Sequence, residues 1–189
     1  MTERTRTFEW ADTSQARAQA RTLSGLEFLR AMARGDLPSP PIGQALGFEP
    51  PREDDFGEGR ATFRLRPQEF HYNPIGSVHG GVFATLLDSA LGCAVQTMLP
   101  AGTAYTTLEL KVNYLRPLIA GGPEVSATAQ VVAVTRQTGV AEARIVDAQG
   151  KLYAHATTTC LIMRPAQDPP ASAQAQPAPS GSGGSASEG

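Results

Sequence analysis

The strongest constraint on this chain is one apolar run, residues 82–99, that carries a lone carboxylate near its middle, in Val82-Phe83-Ala84-Thr85-Leu86-Leu87-Asp88-Ser89-Ala90-Leu91. Its length invites a membrane-span reading. A charge at mid-span costs about 2.5–3.5 kcal/mol on insertion scales, and Gln96 and several small residues weaken the case further. The run is therefore predicted to be a buried helix of a soluble protein, not a span. Because it is apolar on nearly all sides, the rest of the chain must cover it nearly all round.

The flanking sequence supplies strands to do so. Residues 59–66 alternate, with Ala61, Phe63 and Leu65 on one side and arginines and Thr62 on the other. After the helix, which Pro100 and Gly102 end, residues 105–116 alternate too. Leu108, Leu110, Val112 and Tyr114 are expected on one face, and Thr107, Glu109, Lys111 and Asn113 on the other. Residues 124–136, 140–146 and 152–163 read as three more strands. Short polar turns separate them, which implies consecutive antiparallel pairing. The expected class is α+β: a curved antiparallel sheet wrapped around one long central helix, the hotdog arrangement. On pattern alone an ordinary α+β sandwich competes.

Residues 1–41 form an N-terminal helical extension, with one helix predicted over about 14–34 from Leu23, Leu26, Leu29 and Met32, stopped by Gly35 and the following prolines. Residues 42–164 form the main domain. Residues 165–189 are almost wholly Pro, Ala, Ser, Gly and Gln, a composition expected to stay disordered. A net charge of −2 gives no sign of a nucleic-acid binder. The cysteines, Cys93 and Cys160, form neither a disulfide framework nor a metal motif. No metal and no cofactor are expected. The first residues lack the apolar core of a signal peptide, and the expected location is cytoplasmic.

The run His71-Tyr72-Asn73-Pro74-Ile75-Gly76-Ser77-Val78-His79-Gly80-Gly81 leads into the helix. A helix start offers unpaired N–H groups and partial positive charge, and Gly80-Gly81 lets a ligand carbonyl come close. Such donors stabilise an oxyanion; the bland alternative is a tight loop-to-helix turn. Asp88 is the one charged side chain between His79 and Leu99. Burying it alone is costly unless it is paired or functional, and it suits a general base or a nucleophile. Asp88 follows Gly81 by seven residues, about 10 Å along a helix, so one acyl carbonyl cannot touch both in the same chain. Antiparallel helices of two chains would bring Asp88 of one opposite Gly81 of the other, which predicts an obligate homodimer with two composite sites. A pocket between those helices, lined by Phe83, Leu87 and Leu91, would take the acyl group.

Residues 42–164 resemble the hotdog-fold acyl-CoA thioesterases of the phenylacetic-acid-pathway (PaaI-like) type. The resemblance rests on Asn73, His79-Gly80-Gly81, Asp88, Thr107 and Asn113-Tyr114-Leu115-Arg116-Pro117, with further likeness at residues 136–140 and 147–151. It implies metal-free hydrolysis of an acyl-CoA, with Asp88 attacking directly or activating water, and the Gly81 N–H holding the oxyanion. Asn73 and His79 would orient water or thioester, and Thr107 would hold the water or the acid, unless it is simply a strand threonine. Gly80 and Phe83 would contact substrate. Arg116 and Arg136 are the candidates for CoA phosphates, since arginine forms fork-like contacts to phosphate; each is otherwise a solvated strand end. Tyr114, Cys93, His71 and His155 are read as structural or non-catalytic. The expected assembly is a homodimer, extending to a homotetramer. A hotdog hydratase or dehydratase and a non-catalytic acyl-CoA-binding module are the competing functions.

Overall fold

The computed structural model describes residues 3–164; the segment expected to be disordered, residues 165–189, lies outside them. The predicted single N-terminal helix is two helices, α1 (Ser14–Gln19) and α2 (Gly25–Arg34). Ser24 causes the break. Its hydroxyl accepts from the Glu27 N–H, while the Glu27 carboxylate accepts from the Ser24 N–H at 3.0 Å. This reciprocal cap starts a new helix rather than continuing an old one. Gly25 then meets the far end of the central helix backbone to backbone. Its N–H donates to the Leu99 carbonyl at 2.9 Å, and a Cβ there would sit 1.8 Å from the Gln96 carbonyl oxygen. A third helix, α3 (Pro41–Leu46), has no counterpart in the sequence reading; it ends at Gly47, whose φ of 65° suits a residue without Cβ.

The long helix is α4 (Gly80–Thr97). One six-stranded antiparallel sheet packs against it, in the order β1-β2-β4-β5-β6-β3. The strands are β1 (Phe56–Gly57), β2 (Arg60–Leu65), β3 (Ala104–Tyr114), β4 (Val125–Val134), β5 (Thr138–Asp147) and β6 (Leu152–Met163). This is the expected hotdog fold. The central strands face the helix with small side chains: Ala129 pairs with Ala143, and Ala143 with Ala156. The alanines are buried, and Leu86, Leu87, Leu91 and Val95 of α4 fill the space they leave. Gly139 goes further, since a Cβ there would lie 2.6 Å from Val95 Cγ1. α2 adds Leu29 to the same core.

Three corrections concern the site. In β3 the predicted alternation changes phase. Thr107 pairs with Cys160 and Glu109 with Thr159, so Leu108 is an extra residue in a bulge. Leu108 is 59% exposed, while Thr107 turns inward to share the half-buried face of Tyr105, Leu110 and Val112. Leu87 and Leu91 are fully buried against their own sheet and line neither of the two cavities at the site. Finally, α4 is not covered all round: Gly81, Thr85, Asp88, Ser89 and Gln96 form a partly open stripe along it. Among the described residues no helix is long and apolar enough to cross a membrane.

Candidate active site

The start of α4 is built by its own loop. Asn73 Oδ1 accepts from the N–H groups of Ile75 and Ser77, and Asn73 Nδ2 donates to Ser77 Oγ at 3.0 Å. The Asn73 amide thus shapes the turn, with one of its two Nδ2 protons still uncommitted beside the cavity at the helix start. Buried His71 anchors the loop from behind. Its Nδ1 accepts from the Gln68 N–H, and its Nε2 bonds the Leu46 carbonyl at the end of α3. Burial pushes the His71 pKa down, which keeps the ring neutral in that role.

His79 is the N-cap of α4. Its Nδ1 accepts from the Gly81 N–H at 2.8 Å, so the neutral ring carries its proton on Nε2. The Gly81 N–H, expected to wait open for an oxyanion, is engaged in this conformation. Use of that donor requires the exposed His79 ring to turn away. The Gly80 N–H, one position earlier, makes no bond to any described residue. Tyr114 passes beside it: its hydroxyl donates to the Gly80 carbonyl at 3.1 Å, and its ring stacks on Phe83. These groups, with Asn73, Ser77, Arg116 and Pro117, line a cavity of about 320 Å³ at the helix start.

Asp88 opens into a different cavity. Thr107 Oγ1 donates to Asp88 Oδ1 at 2.9 Å, a contact that the β3 bulge makes possible. Asp88 Oδ2 has no protein partner among the described residues. The cavity measures about 790 Å³, and its lining includes Asp88, Ser89, Cys93, Tyr105 and Thr107. The other acidic groups there stay protonated. Burial, then the Asp88 charge, pushes the Cys93 thiol up to about 12. Burial likewise lifts Tyr105 well above its ordinary value, and Cys160 upward. Cys93 is therefore no nucleophile.

The two arginines separate. Arg116 lines the helix-start cavity. Arg136 lies in the β4–β5 turn, three residues before Gly139, which packs on Val95 near the other end of α4. Eighteen residues of helix span about 27 Å, so the two cannot share one nucleotide in a single chain. The structure thus joins Asp88 to Thr107, groups Asn73, Gly80, Phe83 and Arg116, sets His79 on Gly81, and leaves Arg136 apart. Sequence reasoning missed the walls of the Asp88 cavity, which come from the N-terminal arm, α3 and β2; no local motif signals a wall assembled from segments so far apart. Among the described residues no group of His, Cys, Asp or Glu side chains could hold a metal ion.

The class that these features define is a hotdog domain with a helix-borne carboxylate held by a strand hydroxyl beside a large cavity. Comparison with known proteins names the family. The thioesterase superfamily pattern matches residues 75–154. A Halobacterium salinarum protein named as an esterase is 48% identical over 98 residues, covering 49% of this chain. The chain spans 63% of the length of that relative. A 1,4-dihydroxy-2-naphthoyl-CoA hydrolase of Listeria monocytogenes is 28% identical over 107 residues, which are 57% of this chain and 85% of that protein. The solved structure of a point mutant of the phenylacetic acid degradation protein PaaI from Thermus thermophilus is 31% identical, with a TM-score of 0.57 over 65% of this chain and 98% of that one. The chain belongs to the thioesterase superfamily and is PaaI-like.

Proposed function

We propose that the protein hydrolyses acyl-CoA thioesters, and that it does so as a homodimer with two composite sites. The observation that carries this is the Asp88–Thr107 pair in the wall of the 790 Å³ cavity, on a thioesterase-superfamily fold. The CoA-hydrolase name of the Listeria relative supports the choice of leaving group.

In this mechanism Asp88 Oδ2 takes a proton from water as the water oxygen bonds to the thioester carbonyl carbon. The carbonyl oxygen gains negative charge and is met by N–H donors at a helix start. Collapse of the tetrahedral intermediate breaks the C–S bond, and the leaving sulfur ends as CoA thiol with the proton that Asp88 accepted. The alternative is direct attack by Asp88 to give a mixed anhydride that water then opens. Single turnover in ¹⁸O-water tests the second route: label in the Asp88 carboxylate arises only from an anhydride that water opens at the Asp88 carbonyl, whereas label in the product acid alone is compatible with both.

The composite site is supported by geometry. Asp88 and the helix start open into different cavities of one chain, and Arg116 and Arg136 lie near opposite ends of α4. With the helices of two chains antiparallel, Asp88 of one chain approaches His79, Gly80 and Gly81 of its partner, and Arg116 of one falls near Arg136 of the other. β3 is an edge strand with unpaired backbone groups on its outer side, and such an edge calls for a cover. The test is thiol release from acyl-CoA. Asp88→Asn is expected to lower kcat about 10²–10⁴-fold. Mixing Asp88→Asn chains with Gly81→Val chains should restore one working site per hybrid. Unchanged thiol release in Asp88→Asn sinks the hydrolase mechanism, and hybrids that never recover activity sink the composite site.

A further inference from the structure

We propose that the cavity beside Asp88 is an acyl chamber for bulky apolar acyl groups, and that its outer wall is the chain's own N-terminal arm, so that the arm and α3 set the substrate range. The inference rests on the hydrolase proposal above. It replaces a pocket between paired helices with one walled by segments of the same chain.

Three observations lead to it. The cavity lining holds a polar pair, Asp88 and Thr107, and an apolar group, Met32, Phe48, Phe56 and Phe63. Phe56 and Phe63 meet edge to face with centroids 5.9 Å apart, so the apolar group includes a packed aromatic pair rather than loose side chains. The volume of about 790 Å³ falls within the roughly 300–1,000 Å³ common for small-molecule sites, and far exceeds what an acetyl group needs.

The arm is latched in place. Arg6 donates to the Gln44 carbonyl at 2.7 Å and also to the Ala45 carbonyl, both near the end of α3. The same guanidinium lies 3.9 Å from the centre of the Phe70 ring, and Arg4 pairs with Glu69. These contacts lay Thr7, Phe8 and Glu9 across the cavity rim.

The third observation is the charge of the lining. Among the described residues Arg6 is its one cation, and it is already committed to two carbonyls and an aromatic face. The other charged residues of the lining, Glu9, Glu49 and Asp88, are all acidic. The chamber therefore suits an aromatic or medium-length aliphatic acyl group and disfavours one that ends in a charge.

Gly43 offers a way to fill the chamber. It lies in α3 on the cavity wall, and a Cβ there would make only ordinary contact with Phe48, at 3.8 Å. The full chain and its Gly43→Phe variant are assayed with acetyl-, octanoyl-, phenylacetyl- and adipoyl-CoA. One methylene of fit in an apolar pocket is worth about 10–200-fold in kcat/KM. In Gly43→Phe the octanoyl-to-acetyl and phenylacetyl-to-acetyl ratios of kcat/KM are expected to fall at least tenfold, mainly through KM. Whichever of those two ratios falls further names the native acyl shape. Arg6→Ala, which unlatches the arm, should move both ratios the same way, and adipoyl-CoA should be the poorest of the longer substrates for the wild type. Gly43→Leu serves if the phenylalanine variant melts early.

A second readout needs no turnover. The wild type should bind a non-hydrolysable octanoyl-CoA thioether at least tenfold more tightly than its acetyl counterpart, and Gly43→Phe should erase that preference. If the preference and its loss appear while no thioester is cleaved, the hydrolase proposal fails and the chamber stands. If Asp88-dependent hydrolysis is found but filling the chamber shifts neither ratio, or lowers all substrates alike, the chamber is refuted and the hydrolase stands.

Discussion

Thr107→Val isolates one atom of the candidate site. Valine keeps the branched shape that suits a strand and deletes the hydroxyl that donates to Asp88 Oδ1 at 2.9 Å. A hydrogen bond to a charged group is worth about 1.5–3 kcal/mol. Asp88 is only half buried, so water makes up part of the loss and the lower end applies. At 1.36 kcal/mol per tenfold in rate, about 1.5 kcal/mol predicts a drop of roughly tenfold. In the proposed mechanism the bond orients the group that takes the proton and need not touch the substrate. The drop should therefore appear in kcat with KM little changed, measured by thiol release under saturating acyl-CoA. Thr107→Ser returns the hydroxyl and should recover most of the rate. In that mechanism Thr107 is a positioning residue. Valine within twofold of wild type would refute the argument, and so would a serine variant as slow as valine.

Two further outcomes concern the scaffold. Asp55 is buried, with Arg64 bonded to both its oxygens and the Arg52 N–H donating at 2.7 Å. Burial pushes its pKa up, but the hydrogen bonds from Arg64 and the Arg52 N–H, with the charges of both arginines, together outweigh this and hold it below the usual carboxylate range. A lowered folded value means that its stabilisation is complete above the ordinary Asp pKa and is lost as pH falls through the lowered value. Asp55→Asn strands the Arg64 charge and should cost about 3 kcal/mol at neutral pH, with a flatter acid limb in urea titrations taken across pH. Gly25→Ala forces a Cβ into the Gln96 carbonyl and should cost about 1–3 kcal/mol as overpacking, read as a lower Tm together with faster amide exchange in α2.

Much of the fold could be read from pattern. The helix at Gly80 and five of the six strands follow from apolar periodicity and from turn residues such as Pro100 and residues 147–150. β1, two residues long, is too short to carry a period. The break before α2 did have a local sign, Ser24 followed three residues later by Glu27, which the recurring leucines masked. The bulge at Leu108 had none, because an unbroken alternation looks the same whether or not its partner strand skips a residue; only the register with β6 reveals it. The same holds for the cavity walls. Asp88 stood out as a lone charge in an apolar helix, a purely local anomaly, whereas the pairing of Thr107 with it and the approach of Gly43, Phe48 and Phe63 depend on segments far apart in the chain. His79 had a visible place before the helix, yet which way its ring turns is decided by a cap bond to Gly81 that spacing alone does not report.

The bulge in β3 sets something like a reading frame. Residues before Leu108 and residues after it obey opposite parities, so one count decides which side chain is presented to the carboxylate on α4. Because β3 is the last strand of the sheet within the chain, a shift in that count disturbs only one neighbouring ladder and leaves the alanine-lined centre as it is. Deleting or adding a single residue near position 108 would exchange the hydroxyl beside Asp88 for another side chain without redesigning the core. The edge of this sheet is where such a scaffold can most cheaply acquire a different chemistry.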